Sequence, residues 1–126
     1  NAAFMICYAE KLDEFLPKES ISEIWITFPD PYPRRSSMKK RLTHPRFLAI
    51  YKNILAKKGV INLKTDDDTL YSYTLKVIEE EKMNLIHSTN DLYSSTIMNE
   101  EEKFLTKYEK QHLAEGKKIK LIKFSF

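Results

Sequence analysis

Two carboxylates at the ends of apolar runs, and a short basic stretch beside one of them, are the parts of this 126-residue sequence equipped for chemistry. Asp30 sits in Phe28-Pro29-Asp30-Pro31-Tyr32-Pro33, directly after Ile24-Trp25-Ile26-Thr27. An apolar, β-branched run that stops at prolines reads as a buried strand ending in a turn. Asp30 then stands just past the carboxyl end of a strand, where ligands bind in open α/β sheets. An aspartate between prolines also bonds its own backbone as a turn residue. Arg34, Arg35, Lys39, Lys40 and Arg41 follow with no acidic residue among them. A fixed carboxylate suits a developing positive charge, and a cationic loop suits the phosphates of a polyanion. A basic run alone also reads as solvated surface.

Asp66 repeats the theme at the end of Val60 to Lys64, although Thr65-Asp66-Asp67-Asp68 equally suits the start of a helix. Consecutive aspartates on a helix start point different ways, which argues against a metal site. His44, His87 and His112 are scattered and lack metal-ligand spacing. The two glycines, Gly59 and Gly116, form no Gly-x-Gly pair, so no Gly-rich phosphate or cofactor loop can be placed. The single cysteine, Cys7, excludes an internal disulfide and is expected in the core. The segment Thr106-Lys107-Tyr108-Glu109 carries mixed charge and means little alone.

The elements that must position these groups follow from periodicity. Phe4 to Tyr8 reads as a short strand. Leu12, Phe15 and Leu16 share one helical face, and Pro17 ends that helix. Ile24 to Phe28 is the buried strand before Asp30. Residues 34 to 43 are polar, basic and aperiodic, hence a loop. Pro45 suits a first helical turn, and Phe47, Ile50, Tyr51, Ile54 and Leu55 form an amphipathic stripe. Lys57-Lys58 then complement the helix dipole, with Gly59 at C′. Val60 to Lys64 is a strand. Leu70, Tyr73, Thr74, Val77 and Ile78 mark the next helix, and Met83 to Ser88 the next strand. Residues 90 to 103 are irregular, Phe104 to His112 could be helical, and Ile119 to Phe126 is the last strand. Alternation of strand and helix predicts an α/β fold with a mainly parallel sheet, the last two strands pairing antiparallel. The length fits a single domain, residues 1–126.

The composition, 42% hydrophobic and 31% charged, is that of a folded globular chain. No apolar run reaches the roughly 18 residues of a membrane span. A reducing cytoplasm is the expected location. Net charge is only +3, but acids cluster at 66–68, 79–81 and 100–102, away from the basic residues at 34–46 and 117–123. Segregated charge of this kind fits a polyanion partner.

Taken together, these segments resemble the bacterial tRNA (guanine-N7-)-methyltransferase family. That family runs as an apolar strand, Phe-x-Asp-Pro-Trp-x-Lys/Arg, a basic segment, a helix with Phe-Leu, a strand ending in Thr-Asp, and a late Thr-x-x-Glu. The counterparts are Ile24 to Arg34, Lys39-Lys40-Arg41-Leu42-Thr43, Phe47-Leu48, Lys64-Thr65-Asp66 and Thr106 to Glu109. Tyr32 replaces the family's Trp, Tyr8 stands where its Asp-Ala pair has the acid, and its His in the basic segment is missing.

The resemblance implies a partial Rossmann-like class I methyltransferase sheet and S-adenosylmethionine as cofactor. It implies that Asp30 is catalytic and touches the cofactor, with Ala9 and Glu10 beside it. It places Tyr32, Arg34, Arg35, Lys39, Lys40, Arg41, Asp66, Thr106, Lys107, Tyr108 and Glu109 on tRNA. The family's Gly-rich loop precedes Asn1, so the chain is expected to be the C-terminal part of such an enzyme, inactive by itself. Phe4 to Tyr8 is then expected to leave its usual place, and the open sheet edge to favour self-association. An amino-methylating nucleic-acid methyltransferase, which carries Asp/Asn-Pro-Pro-aromatic at the same strand end, and a non-catalytic basic RNA-binding fragment are the alternative readings.

Overall fold

In the computed structural model, residues 2–94 and 116–126 are described. A 3-10 turn, Ala9–Lys11, leads into the short helix α1, Leu12–Phe15. Strand β1, Ile21–Thr27, is followed by a 3-10 helix at Arg35–Lys40 and by α2, Pro45–Ile54. Then come β2, Leu55–Thr65, α3, Asp68–Glu80, and β3, Asn84–Thr89. A short 3-10 turn, Leu92–Ser94, follows, and β4, Lys120–Ser125, closes the described fold.

The strands form one sheet in the order β1-β2-β4-β3. β1 pairs parallel with β2, and β4 pairs antiparallel with both β2 and β3. β1, β2 and β3 therefore run the same way, joined by α2 and α3 as crossovers. The register Ile61↔Phe124 and Leu63↔Ile122 puts four buried side chains on one face. Phe47, Leu48 and Tyr51 of α2 and Leu70, Val77 and Ile78 of α3 pack there. The apolar stripes read for α2 and α3 are largely buried, whereas α1 fully buries none of its residues and Phe15, expected on a shared helical face with Leu12 and Leu16, stays 56% exposed. The sheet is the partial, mainly parallel Rossmann-like arrangement expected, with its antiparallel C-terminal strand.

Three boundaries differ from expectation. Phe4 to Tyr8 forms no strand, and Phe4, Met5, Ile6 and Tyr8 are exposed. The run adds no strand to the sheet, and β1 keeps an open edge among the described residues. Cys7 goes with this segment: it is half-buried and outside both core clusters. Second, α2 stops at Ile54, and Leu55 turns extended to pair with Ile21. Lys57, Lys58 and Gly59 lie in β2, where the register jumps between Ile21↔Leu55 and Glu23↔Val60. Gly59 is needed for close approach and not as a helix cap: a Cβ there would lie 2.8 Å from Leu55 Cδ2 and 2.9 Å from the Ala56 carbonyl oxygen. Third, residues 35–40 wind into a 3-10 helix within the stretch read as loop. Phe104 to His112, with Thr106 to Glu109, lies outside the described residues.

Candidate functional site

Because β1 and β2 are parallel, the Phe28–Pro33 turn and Asp66 leave the same edge of the sheet, and Thr89 of β3 ends there too. The turn begins where the Phe28 N–H donates to the Lys64 carbonyl, 2.8 Å. Phe28 has φ 51° and Tyr32 φ 42°. Left-handed backbone is unusual for an aromatic residue and costs about 1–3 kcal/mol. It persists only where the surroundings hold it. Phe28 packs against a small cluster of Leu92, Ile119 and Leu121.

Asp30 is exposed at the tip of this turn. Its Oδ1 accepts a hydrogen bond from the Tyr32 N–H, 3.2 Å. The turn role and a ligand role are thus compatible, since one oxygen closes the turn and the carboxylate still faces solvent. The basic residues then separate. Arg34, Arg35, Lys39 and Lys40 are exposed, and the Lys40 Nζ stands 6.0 Å from the centre of the Tyr32 ring. Arg41 is only 5% exposed and turns inward.

A cleft of about 440 Å³ brings Ala9 and Glu10 to Tyr32 and Lys40, with Arg46 and Phe47 of α2 as its floor. Of the residues expected at the cofactor, Ala9 and Glu10 line this cleft, and of those expected at tRNA, Tyr32 and Lys40 do, whereas Asp30, Arg34, Arg35, Lys39 and Asp66 are not in its lining. Arg46 was not singled out by the sequence, yet it ties the cleft together. Its guanidinium pairs with Glu10 at 3.6 Å, lies 4.0 Å from the Phe47 ring centre, and donates to the Lys39 carbonyl. The available signal was an arginine in a first helical turn, where the dipole favours acids.

The three consecutive aspartates have three different tasks. Asp67 caps α3, its Oδ1 accepting from the Leu70 N–H at 2.7 Å. Asp68 pairs with Lys120, 3.1 Å. Asp66 lies 3.8 Å from the Lys117 Nζ. Asp66, Asn90, Lys117 and Lys118 border a second cleft of about 450 Å³. Asn90 carried no sequence signal: an asparagine after a strand is an ordinary turn residue. Among the described residues, no cluster of His, Cys, Asp and Glu could hold a metal ion.

The parallel strands thus bring an exposed carboxylate and flanking cations to one edge of the sheet, the place where ligands bind in open α/β sheets. The sequence matches the model of a family described as putative methyltransferase over residues 1–122. The chain belongs to that family. It is 38% identical to a tRNA (guanine-N(7)-)-methyltransferase of Cytophaga hutchinsonii, over 100% of this chain and 58% of the relative. It is 42% identical to proteins of the same name from Mycoplasmopsis pulmonis (82% of this chain, 50% of the relative) and Porphyromonas gingivalis (98% and 50%). The chain thus spans about half the length of the curated relatives it matches.

Proposed function

We propose that the protein methylates guanine N7 in tRNA with S-adenosylmethionine as methyl donor. The observation that carries this is the Asp30 turn: an exposed carboxylate at the carboxyl edge of the sheet, followed at once by four exposed cations. The name shared by the relatives supports it.

The residues fit the cofactor in chemical type. The cleft offers an aromatic face from Tyr32 and a carboxylate from Glu10, which pairs with Arg46, with Asp30 in the adjoining turn. A cleft of this size lies within the usual range for small-molecule sites. Ala9, Glu10 and Asp30 would hold the cofactor on this side. When bound, it supplies an electrophilic methyl group on a cationic sulfur.

Guanine N7 has a free lone pair and no proton to lose, so attack on that methyl needs no strong base. It needs alignment, which proximity alone can make worth several kcal/mol. The methylated base becomes cationic, and a fixed carboxylate at Asp30 favours that charge as it develops. The turn, closed on its own backbone and bounded by prolines, keeps the carboxylate in place before substrate arrives. Arg34, Arg35, Lys39 and Lys40 meet tRNA phosphates, which positions the substrate without reading its sequence. Tyr32 offers a face for a base to stack upon. Asp66 and the Thr106-Lys107-Tyr108-Glu109 segment complete the substrate side. Association of two chains through the open edge of β1 belongs to the same reading.

The test is transfer of labelled methyl to tRNA by the full gene product, with 7-methylguanosine identified in the digest. Asp30→Asn keeps the oxygen that closes the turn and removes the charge. It should lower kcat by roughly 10²-fold, the scale of losing one preorganised electrostatic partner. Binding of tRNA should remain within twofold. Undiminished methylation by Asp30→Asn would remove Asp30 from the mechanism, and RNA binding without methylation by the parent protein would favour a non-catalytic binding module.

A further inference from the structure

The residue that does not behave as its neighbours do is Arg41. It lies in the basic run, yet its guanidinium reaches no solvent-facing partner. Its Nε donates to the carbonyls of Pro31 and Tyr32, both at 3.1 Å, and its Nη2 donates to the Tyr32 carbonyl at 3.0 Å. Its Cζ lies 4.5 Å from the centre of the Tyr73 ring on α3.

The segment that carries Arg41 is itself fastened to both helices. The Tyr51 hydroxyl of α2 donates to the Leu42 carbonyl, 2.8 Å. Thr43 and Thr74 share a buried hydroxyl–hydroxyl bond, 2.8 Å. Arg41, Leu42 and Thr43 thus tie in turn to α3, α2 and α3. Burial pushes the Tyr73 phenol up from its usual range, while the Arg41 cation opposes that rise. The ring therefore stays neutral and serves Arg41 as an apolar, electron-rich platform.

We propose that Arg41 is a positioning residue that locks the Asp30 turn to the helix layer. The chain of contacts is continuous. The helices hold residues 41–43, Arg41 holds the carbonyl of Tyr32, and the N–H of Tyr32 holds the Oδ1 of Asp30. The guanidinium fork explains why this position carries arginine: it spans two successive carbonyls at once, which a lysine ammonium on a flexible stem does not reproduce. It also explains how Tyr32 keeps a left-handed backbone at φ 42° without being glycine. A phosphate ligand would have to present its charge outward, and Arg41 is the one member of the run that is buried.

The activity arm of the test rests on the methyl-transfer reading, and a second arm does not. In the full gene product, Arg41→Met should lower kcat by roughly 10–100-fold, the cost of misplacing a reacting group by about 1 Å. KM for tRNA and the salt dependence of tRNA binding should not change. Arg41→Lys should restore charge and folding while kcat stays low. Independently of activity, trypsin should cut after Arg34 and Arg35 several-fold faster in Arg41→Met and Arg41→Lys than in the parent. If Arg41→Met does not fold, Tyr73→Leu, which keeps an apolar platform without the ring, should show the same pattern in milder form. A rise in KM with kcat retained, together with a salt slope reduced by about one, would make Arg41 a phosphate ligand and overturn the proposal. Unchanged trypsin rates in all three variants would overturn it as well. If the parent protein transfers no methyl group, the functional reading fails, and the trypsin arm still decides the role of Arg41.

Discussion

Four cations of the basic run are exposed and one is not, and this sets a number that salt titration can read. Each phosphate contact made by a lysine or arginine adds about 0.7–0.9 to the slope of log K against log salt, depending on whether the strand is single or duplex. With Arg34, Arg35, Lys39 and Lys40 all engaged, the run contributes a slope of roughly 2.8–3.6 to tRNA binding. Raising salt from about 50 to 200 mM, a factor of four, then weakens that contribution by roughly 50–150-fold. Arg34→Gln with Arg35→Gln removes two of the four contacts. The slope should fall by about 1.4–1.8, and the same salt step should cost about 7–12-fold less affinity than in the parent. Filter binding or fluorescence anisotropy with one tRNA, at five or more salt concentrations, measures it. Neutral glutamines are preferable to acidic residues because they add no new repulsion. Arg41 is left out of the count because its guanidinium is committed to the Pro31 and Tyr32 carbonyls. A slope unchanged in the double variant would show that the run is ordinary solvated surface. A slope change that also required Arg41 would show that the inward-facing arrangement gives way when RNA binds.

Three other outcomes follow from single contacts. Asp67→Ala should destabilise the protein by about 1 kcal/mol through loss of the α3 cap, while Asp68→Ala, whose pair with Lys120 sits on an exposed carboxylate, should cost distinctly less; thermal melts of both variants give the comparison. His44 caps α2 through an Nδ1 that accepts from the Arg46 N–H, and burial, then the Arg46 and Lys39 charges, hold its pKa below the ordinary 6.5 against a weaker opposing pull from Glu81. The folded state therefore binds fewer protons than the unfolded state just below pH 6.5, so stability should fall as pH drops from there through the depressed value. His44→Asn, a cap that does not titrate, should flatten urea-melt stability across that window, and an unflattened profile would assign the effect elsewhere. Sedimentation at high protein concentration should show association through β1, and a strictly monomeric mass would remove that idea.

Much of the fold was legible because α2 and α3 each bury a stripe of the right period and each parallel strand ends at a charged or proline-rich turn. Asp30 at the end of β1 and the start of α3 after Asp67 follow from local pattern alone. The errors fall where tertiary pairing outweighs local preference. Residues 45–58 read as one continuous helix, but pairing with Ile21 draws Leu55 into the sheet and ends α2 at Ile54. Phe4 to Tyr8 has strand composition, and composition cannot supply a neighbouring strand. Arg41 was hidden among like charges, because a basic run looks the same whether a member points outward or inward. Its neighbours Tyr51, Tyr73 and Thr74 belong to helices beyond it in sequence, and no local window contains them.

The strained turn shows why the site is a property of the fold and not of its motif. Prolines at 29, 31 and 33 restrict the residues before them toward extended backbone. They do not by themselves place Phe28 and Tyr32 in the left-handed region, and the chain puts neither of its two glycines there. The strain is held from two independent sides. Phe28 is fixed by the Lys64 carbonyl of β2 and by the apolar cluster that includes Leu121 of β4. Tyr32 is fixed through Arg41 by the helix layer. Asp30 lies between these anchors, with its own oxygen bonded to the second. A carboxylate held this way loses its freedom when the protein folds and not when a ligand arrives, so the ordering cost is met before substrate binds. On the proposed reading, loosening either anchor should therefore degrade the chemical step before it degrades the capture of a polyanion, the task proposed for the exposed cations outside the turn.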